Sequence, residues 1–319
     1  MSISRLMVAV AATSALAVGV AACGSGGTDT GGGDSKLSGS IAIDGSSTVF
    51  PFAQAAAEEF QKANPNVKIT VGESGTGGGF EKFCRGEIQI ADASRPIKDD
   101  EEAPICKKNG VGYSGVQIAN DGIAIVTNKG VTIDCLTTAQ LKQLWKKGSK
   151  VTNFNQLDPK FPDQKVSLFG PGTDSGTFDF FTEEINGEKG NTRTDYQPSE
   201  DDNVLVQGVS GDKGGLGYFG FSYYEQNQDK LNLVAVDGGK GCVKPSKETI
   251  QDGTYTPLSR PLYMYPSAKA LAEPQVKAFM DYVIDNQTTI AEASQIVPMT
   301  DAQLTAAKAS LTKAETAAG

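Results

Sequence analysis

From residue 38 onward, short apolar runs alternate with longer segments whose apolar residues recur three and four positions apart. The first periodicity predicts strands and the second amphipathic helices. Strands are predicted at Ser38–Asp44, Val67–Val71, Ile88–Ala91, Val111–Ala119, Ile123–Thr127 and Val166–Phe169. Helices are predicted over roughly Phe50–Asn64, Thr76–Arg85, a segment opened by the acidic run Asp99–Glu102, and Thr138–Lys147. Ser175 stands as the N-cap of a helix running through Ile185. Val204–Val209, Tyr223–Asp229 and Leu231–Val236 continue the alternation, Pro261–Tyr265 reads as extended, and Pro274–Asn286 and Asp301–Lys313 as helical. The alternation implies an α/β fold with mainly parallel sheets. At about 100–200 residues per domain, 319 residues make about two domains.

The first 36 residues break this pattern. Arg5 precedes an apolar run from Leu6 to Ala22, the length of a signal h-region and short for a membrane span. The run ends Val20-Ala21-Ala22-Cys23, which resembles the bacterial lipobox and implies cleavage before Cys23 and lipid attachment to its thiol. Residues 1–22 are thus a lipoprotein signal peptide, with an ordinary signal peptide as the alternative. Residues 23–37 are a lipidated cysteine and a Gly-rich tether with too little apolar surface to pack. The expected location is the extracytoplasmic face of a bacterial membrane.

Composition narrows the chemistry. The formal charge is −9, and loss of residues 1–22, whose only charged side chain is Arg5, makes it −10. An acidic chain has no basic excess to displace counterions from nucleic acid. There is no histidine. That removes Ser-His-Asp and Cys-His catalysis and imidazole metal sites, leaving carboxylate-only hydrolysis as the enzyme reading. After Cys23, the exported chain has an even set of four cysteines. Of three pairings, Cys84–Cys106 with Cys135–Cys242 is favoured, since the first two lie close in sequence. None of the four stands in CxxC spacing, so neither a metal site nor a cofactor is expected.

Three polar glycine loops sit where a strand hands over to a helix: Asp44-Gly-Ser46-Ser47-Thr48, Gly72-Glu-Ser74-Gly75-Thr76, and Gly170-Pro-Gly-Thr-Asp174-Ser175-Gly176-Thr177. Free amides and the helix dipole make this an anion-binding position, hydroxyls add neutral donors, and glycine admits a ligand close to the backbone. Strand carboxyl ends are also where α/β proteins place ligands. Neither GxGxxG nor GxxxxGK[ST] is completed. A fourth segment, Ile90-Ala-Asp92-Ala-Ser-Arg95-Pro-Ile97, supplies a carboxylate and a guanidinium able to donate two hydrogen bonds to an oxyanion. The plain alternative for Arg95 is local pairing in a surface turn.

In order, GSSTVFP, ESGTGGGF, DASRPI, GPGTDSGTFDFF, SEDDNVLVQGV and LGYFGFSYYEQN resemble the lipoprotein branch of the phosphate-binding proteins of Pst-type ABC transporters, over residues 38 to 290. The resemblance implies a two-lobed extracytoplasmic receptor of the type II periplasmic-binding-protein kind, its ligand cleft between the lobes, which captures inorganic phosphate and hands it to a permease. It implies that Ser46, Ser47, Thr48, Ser74, Gly75, Thr76, Ser175, Gly176 and Thr177 line the site. Better-known members carry an arginine where this chain has Pro171, and an aspartate near the position of Arg95. Arg95 is therefore expected to supply the missing cation, with Asp92 and Asp174 the candidate acceptors for a protonated ligand. Such an acceptor would repel fully ionised sulfate. The lobes are expected at 38–120 with 258–319 and at 121–257, so that neither favoured disulfide staples the hinge. A monomer is expected. The rival readings are a receptor for sulfate or molybdate, a surface lipoprotein without transport, and a carboxylate-only hydrolase.

Overall fold

In the computed structural model, which describes residues 37–318, eleven strands join one sheet. They are β1 (Gly39–Gly45), β2 (Val67–Val71), β3 (Ile90–Ala93), β4 (Val116–Asn128), β5 (Cys135–Thr137), β6 (Ser167–Pro171), β7 (Gln197–Ser199), β8 (Gly215–Gly220), β9 (Leu231–Asp237), β10 (Cys242–Val243) and β11 (Ser259–Pro266). Their order is β2-β1-β3-β11-β4-β8-β6-β7, and β9 pairs with β4, β5 and β10. Helices α1 (Phe50–Ala63), α2 (Gly75–Cys84), α3 (Glu102–Lys108), α4 (Thr138–Trp145), α5 (Gly176–Phe181) and α6 (Asp202–Gly211) are threaded between them. The C-terminal segment adds helices at Pro274–Asp285, Gln287–Ala293 and Asp301–Ala318. The expected signal segment, Cys23 and the tether as far as residue 36 lie outside the described residues.

The α/β architecture is the expected one, but the pairing is mixed. β1 is parallel to β2 and β3, and β6 is parallel to β7 and β8. β11 instead runs antiparallel to both β3 and β4, and β4 antiparallel to β8 and β9. β11 arrives from the far end of the chain and enters between strands already laid down, so no helical crossover constrains its direction. The strands expected at Val111–Ala119 and Ile123–Thr127 are a single strand, β4. Its polar centre stays in the sheet because its groups are satisfied. Asn120 exchanges backbone bonds with Val297 at 2.8 and 2.9 Å, and Asp121 accepts from Arg260.

The Ser175-capped helix is α-helical only to Phe181 and continues as a π-helical turn, Thr182–Asn186, closed by Gly187 at φ +88°. The Thr182 hydroxyl donates to the carbonyls of Phe178 (2.8 Å) and Asp179 (3.1 Å) and accepts from the Gly190 amide (2.9 Å). A side chain competing for ladder carbonyls is a recognised way to distort a helix.

The apolar core falls into distinct clusters. Residues between Ile123 and Leu258, joined by Val297, pack around Trp145, Phe181 and Tyr218, whose Phe181 and Tyr218 rings stack at 3.8 Å. A second cluster draws on residues from Ile41 to Ala119 and from Leu262 to Ala314. A smaller third cluster holds Phe80, Phe83 and Tyr265. Between the two large clusters run the paired segments Asn120-Asp121-Gly122 of β4 and Ser259-Arg260-Pro261 of β11. Cys84–Cys106 ties α2 to α3, and Cys135–Cys242 ties β5 to β10. Closing loops of 22 and 107 residues removes about 3 and about 5 kcal/mol of unfolded-chain entropy on the loop-closure model. Among the described residues, no helix is long and apolar enough to cross a membrane.

Candidate functional site

The carboxyl end of β1 delivers the first loop. Gly45 has φ +147°, and a Cβ there would stand 2.0 Å from the Asp92 carbonyl, so only glycine lets β1 lie this close to β3. The Ser46 amide donates to that carbonyl at 2.9 Å, and Ser46 accepts from the Phe50 amide at its own carbonyl, turning the chain into α1. Ser47 and Thr48 are left facing a cavity of about 370 Å³.

The second loop is held from below. Asp44 Oδ1 accepts from the Ser74 amide (2.9 Å) and hydroxyl (2.7 Å), and its other oxygen pairs with Lys82. Burial pushes the Asp44 carboxyl up, but the bonds from Lys82 and Ser74 outweigh it and hold it below the usual range. Gly75 and Thr76 then reach the cavity. Thr76 Oγ1 lies 3.1 Å from Ser94 Oγ and accepts from the Ser94 amide at 3.2 Å, joining this loop to the one after β3.

Arg260, at the start of β11, occupies the centre. Its Nη2 donates to Thr48 Oγ1 (2.7 Å) and the Gly176 carbonyl (3.4 Å), its Nη1 to Ser94 Oγ (3.0 Å), and its Nε to Asp121 Oδ2 (3.2 Å). The guanidinium lies 3.7 Å over the Phe180 ring. Burial pulls its pKa down, and Asp121 opposes that shift. One side chain thereby touches loops on both sides of the β4/β11 crossing. Gly176 closes the constriction, for a Cβ there would lie 2.4 Å from Thr48 Oγ1 and 2.5 Å from the Thr48 amide nitrogen.

The structure brings together Ser46, Ser47, Thr48, Gly75, Thr76, Arg95 and Gly176 around one cavity, with Ser94, Lys189 and Arg260. Ser74 serves beneath it as the ligand of Asp44. Ser175 Oγ accepts from the Thr177 amide at 3.2 Å, and both residues, with Asp174, line a second cavity beyond the constriction. Asp174 is solvent-exposed. Asp92 does not reach the cleft: it is 0% exposed, and neither carboxylate oxygen has a partner among the described residues. Burial, then the charge of Asp44, pushes its carboxyl well up. Asp92 shares the pleat face of Ile90, which belongs to the core.

Arg95 corrects the expectation of a free cation. It lines the cavity but makes a two-pronged pair with Glu102, Nη2 to Oε1 at 2.6 Å and Nη1 to Oε2 at 3.3 Å. Burial pushes Glu102 up, and bonds from Arg95 and the Lys98 amide bring it below the usual range. A second guanidinium, that of Arg260, stands at the centre of the cavity and was not among the expected site residues. Its signal was a repeated tripeptide: Ser94-Arg95-Pro96 recurs as Ser259-Arg260-Pro261, in a chain with five arginines.

The second cavity is acidic, and Asp202 at its edge has a testable pH signature. Burial pushes its carboxyl up to about 7, the Gly220 amide pulls the other way, and Asp201, Asp121 and Glu200 add repulsion. Because the folded value lies above the ordinary 3.8, stability falls as pH rises from about 4 to about 7 and the buried acid is forced to ionise. Asp202→Asn should therefore raise the melting temperature at pH 8, with the gain fading below about pH 4. Thermal unfolding across that range checks it, and a variant less stable than wild type at pH 8 would refute it.

Two α/β clusters bridged by crossing strands, with convergent loops and one arginine at the crossing, define a solute-binding clamp. A model of the PBP superfamily domain matches residues 30–287. Protein SphX of Synechococcus elongatus is 47% identical over 270 residues, covering 84% of this chain and 80% of its own. The phosphate-binding protein PstS of Staphylococcus saprophyticus is 42% identical over 283 residues, covering 87% and 85%. A crystal structure described as a possible phosphate binding protein, from Planctomyces limnophilus, superposes with a TM-score of 0.82 at 43% identity, covering 87% of this chain and 99% of that one. The chain belongs to the PBP superfamily and, within it, to the PstS-type substrate-binding proteins.

Proposed function

We propose that this chain is the lipid-anchored receptor of an ABC importer, capturing inorganic phosphate outside the cell and delivering it to a permease. The observation that carries the reading is the convergence of Thr48, Ser94 and the Gly176 loop on the Arg260 guanidinium. Hydroxyls, helix-terminal amides and one stacked guanidinium are the donors a small tetrahedral oxyanion requires. The relatives named for phosphate binding support the choice of ion. We place the lobes at 38–120 with 258–319 and at 121–257. The separate apolar clusters support this division, and each disulfide lies within one lobe of it.

Calorimetry of the dialysed protein against phosphate, sulfate and molybdate tests the receptor. Phosphate should bind most tightly; equal affinity for sulfate would remove the specificity, and silence with all three would remove the receptor. Arg95→Ala should weaken phosphate binding by less than about fivefold, since a partly exposed charge already paired with Glu102 contributes at most about 1 kcal/mol. A larger loss would return Arg95 to the ligand. Cys23→Ala should release the protein from membranes on fractionation, and retention would remove Cys23 as the anchor.

A further inference from the structure

One face of α2 carries Thr76, Phe80 and Cys84 at four-residue spacing, and each meets the chain that follows β3. At the cleft end, Thr76 Oγ1 accepts from the Ser94 amide at 3.2 Å. In the middle, the Phe80 ring lies 5.6 Å from the Arg95 guanidinium carbon. At the far end, Cys84 is bonded to Cys106 of α3. Cys106 stands one turn along α3 from Glu102, which accepts from both Arg95 Nη atoms and from the Lys98 amide. Residues 94–101, between β3 and α3, belong to no strand or helix. They are held by these side chains and by the Tyr265 hydroxyl, which accepts from the Ile97 amide at 3.2 Å. The apolar cluster beneath them is the smallest of the three, and the two cysteines are part of it, with Phe80, Phe83 and Tyr265. So small a core stabilises little alone and relies on a covalent staple.

We propose that the Cys84–Cys106 disulfide positions part of the anion site: it fixes the register of α2 against α3, so that Thr76 and the Ser94 loop meet in the cleft, and phosphate affinity depends on it. The proposal rests on the phosphate reading above. Both cysteines are buried and neither lines the cavity, so the bond acts through Thr76 and Ser94. Ser94 also accepts from Arg260 at 3.0 Å, and a slip of α2 along α3 therefore reaches the central guanidinium. Cys135–Cys242 supplies the contrast. It joins β5 to β10, but both strands already pair with β9, so backbone bonds set their register without it. Neither of its cysteines lines either cavity. It closes 107 residues against 22, so its removal releases more unfolded-chain entropy. The shorter loop thus serves the site, and the longer one the stability of the fold.

The test is phosphate calorimetry and thermal unfolding of wild type, Cys84→Ala/Cys106→Ala and Cys135→Ala/Cys242→Ala, with Thr76→Val made in the wild type and in the first variant. Cys84→Ala/Cys106→Ala should lose at least about fivefold in phosphate affinity, because the loops are no longer held ready for the ligand. Cys135→Ala/Cys242→Ala should stay within about twofold of wild type while showing the larger fall in melting temperature. Thr76→Val should weaken binding in the wild type and weaken it less without the Cys84–Cys106 bond, a coupling that a merely stabilising bond would not produce. A smaller loss in Cys84→Ala/Cys106→Ala, an equal loss in both disulfide variants, or additive effects of Thr76→Val would overturn the proposal. If Cys84→Ala/Cys106→Ala does not fold, Asn109→Ala carries the test. It keeps the disulfide and removes the adjacent tie between the ends of α2 and α3, the bond that Asn109 Nδ2 donates to the Cys84 carbonyl at 2.8 Å. Phosphate affinity should then fall by at least about twofold, and an unchanged affinity would overturn the proposal. Wild type that binds no phosphate would instead overturn the phosphate reading.

Discussion

Arg260→Ala is expected to abolish measurable phosphate capture while leaving a folded protein. Removing one member of a buried, hydrogen-bonded charge pair costs about 2–5 kcal/mol, or about 30- to 5,000-fold in affinity. The loss has several sources here. The guanidinium holds Thr48 and Ser94 in the cleft, stacks on Phe180, and is the central cation among the donors. Its removal also leaves Asp121, 5% exposed, as an uncompensated carboxylate below the site. Arg260→Lys should fall between wild type and alanine, because a point ammonium cannot span Thr48, Ser94 and Asp121 as a fork does. Titration calorimetry of the three proteins, each with its melting temperature, checks this. Arg260→Ala with affinity within about fivefold of wild type would place the cation elsewhere, with Arg95 the first alternative.

The size of this effect follows from the charge of the whole chain. At −9, the long-range field opposes an approaching anion, so capture depends on contacts inside the cleft, where donors act in a lower dielectric than water. Several carboxylates stand near the cavity, Asp179, Glu183 and Glu184 on its wall among them, and most of the others are paired. Asp44 is spent on Ser74 and Lys82, Glu102 on Arg95, and Asp121 on Arg260. Each of these carboxylates holds a donor in place, so these paired acidic groups build the anion site even though their charge disfavours the ion.

What could be read beforehand is what the chain does locally. The loops at Ser46–Thr48, Ser74–Thr76 and Ser175–Thr177 announce themselves through glycine and hydroxyl residues between an apolar run and a helix, and each lies at such a junction. The α/β alternation is likewise a local signal. Arg260 was not legible in this way because its place depends on β11 entering between β3 and β4, a pairing between residues 139 apart at Asp121. Asp92 misled for a related reason: sequence showed a carboxylate beside the Ser94 loop, but the pleat turns its side chain inward. The π turn escaped because an inserted residue leaves the apolar spacing of a helix nearly intact, and the Thr182 hydroxyl that sustains it is an ordinary helix residue by composition.

Gly176→Ala should be the most damaging small change in the cleft after Arg260→Ala. The added methyl would sit 2.4 Å from Thr48 Oγ1, 2.5 Å from the Thr48 amide nitrogen and 2.7 Å from Ser47 Oγ. A threonine hydroxyl can turn away, but a backbone amide cannot, so the two loops must part. Overpacking of this kind costs about 1–3 kcal/mol. Here the penalty falls on the arrangement in which the loops meet, the one that presents Thr48, Ser94 and Arg260 together. A ligand that needs that arrangement loses affinity by the full penalty, about 5- to 150-fold, while the unliganded protein relaxes by separating the loops and keeps most of its melting temperature. Gly77→Ala is the control, since a Cβ there meets nothing within 4 Å and alanine favours the helix it enters. Phosphate affinity that falls in Gly176→Ala and holds in Gly77→Ala would show that close approach of the two loops, rather than glycine content, makes the site. Equal affinity in both variants would mean that the ligand binds with the loops apart, and that the contact between Gly176 and Thr48 belongs to a state the ligand does not use.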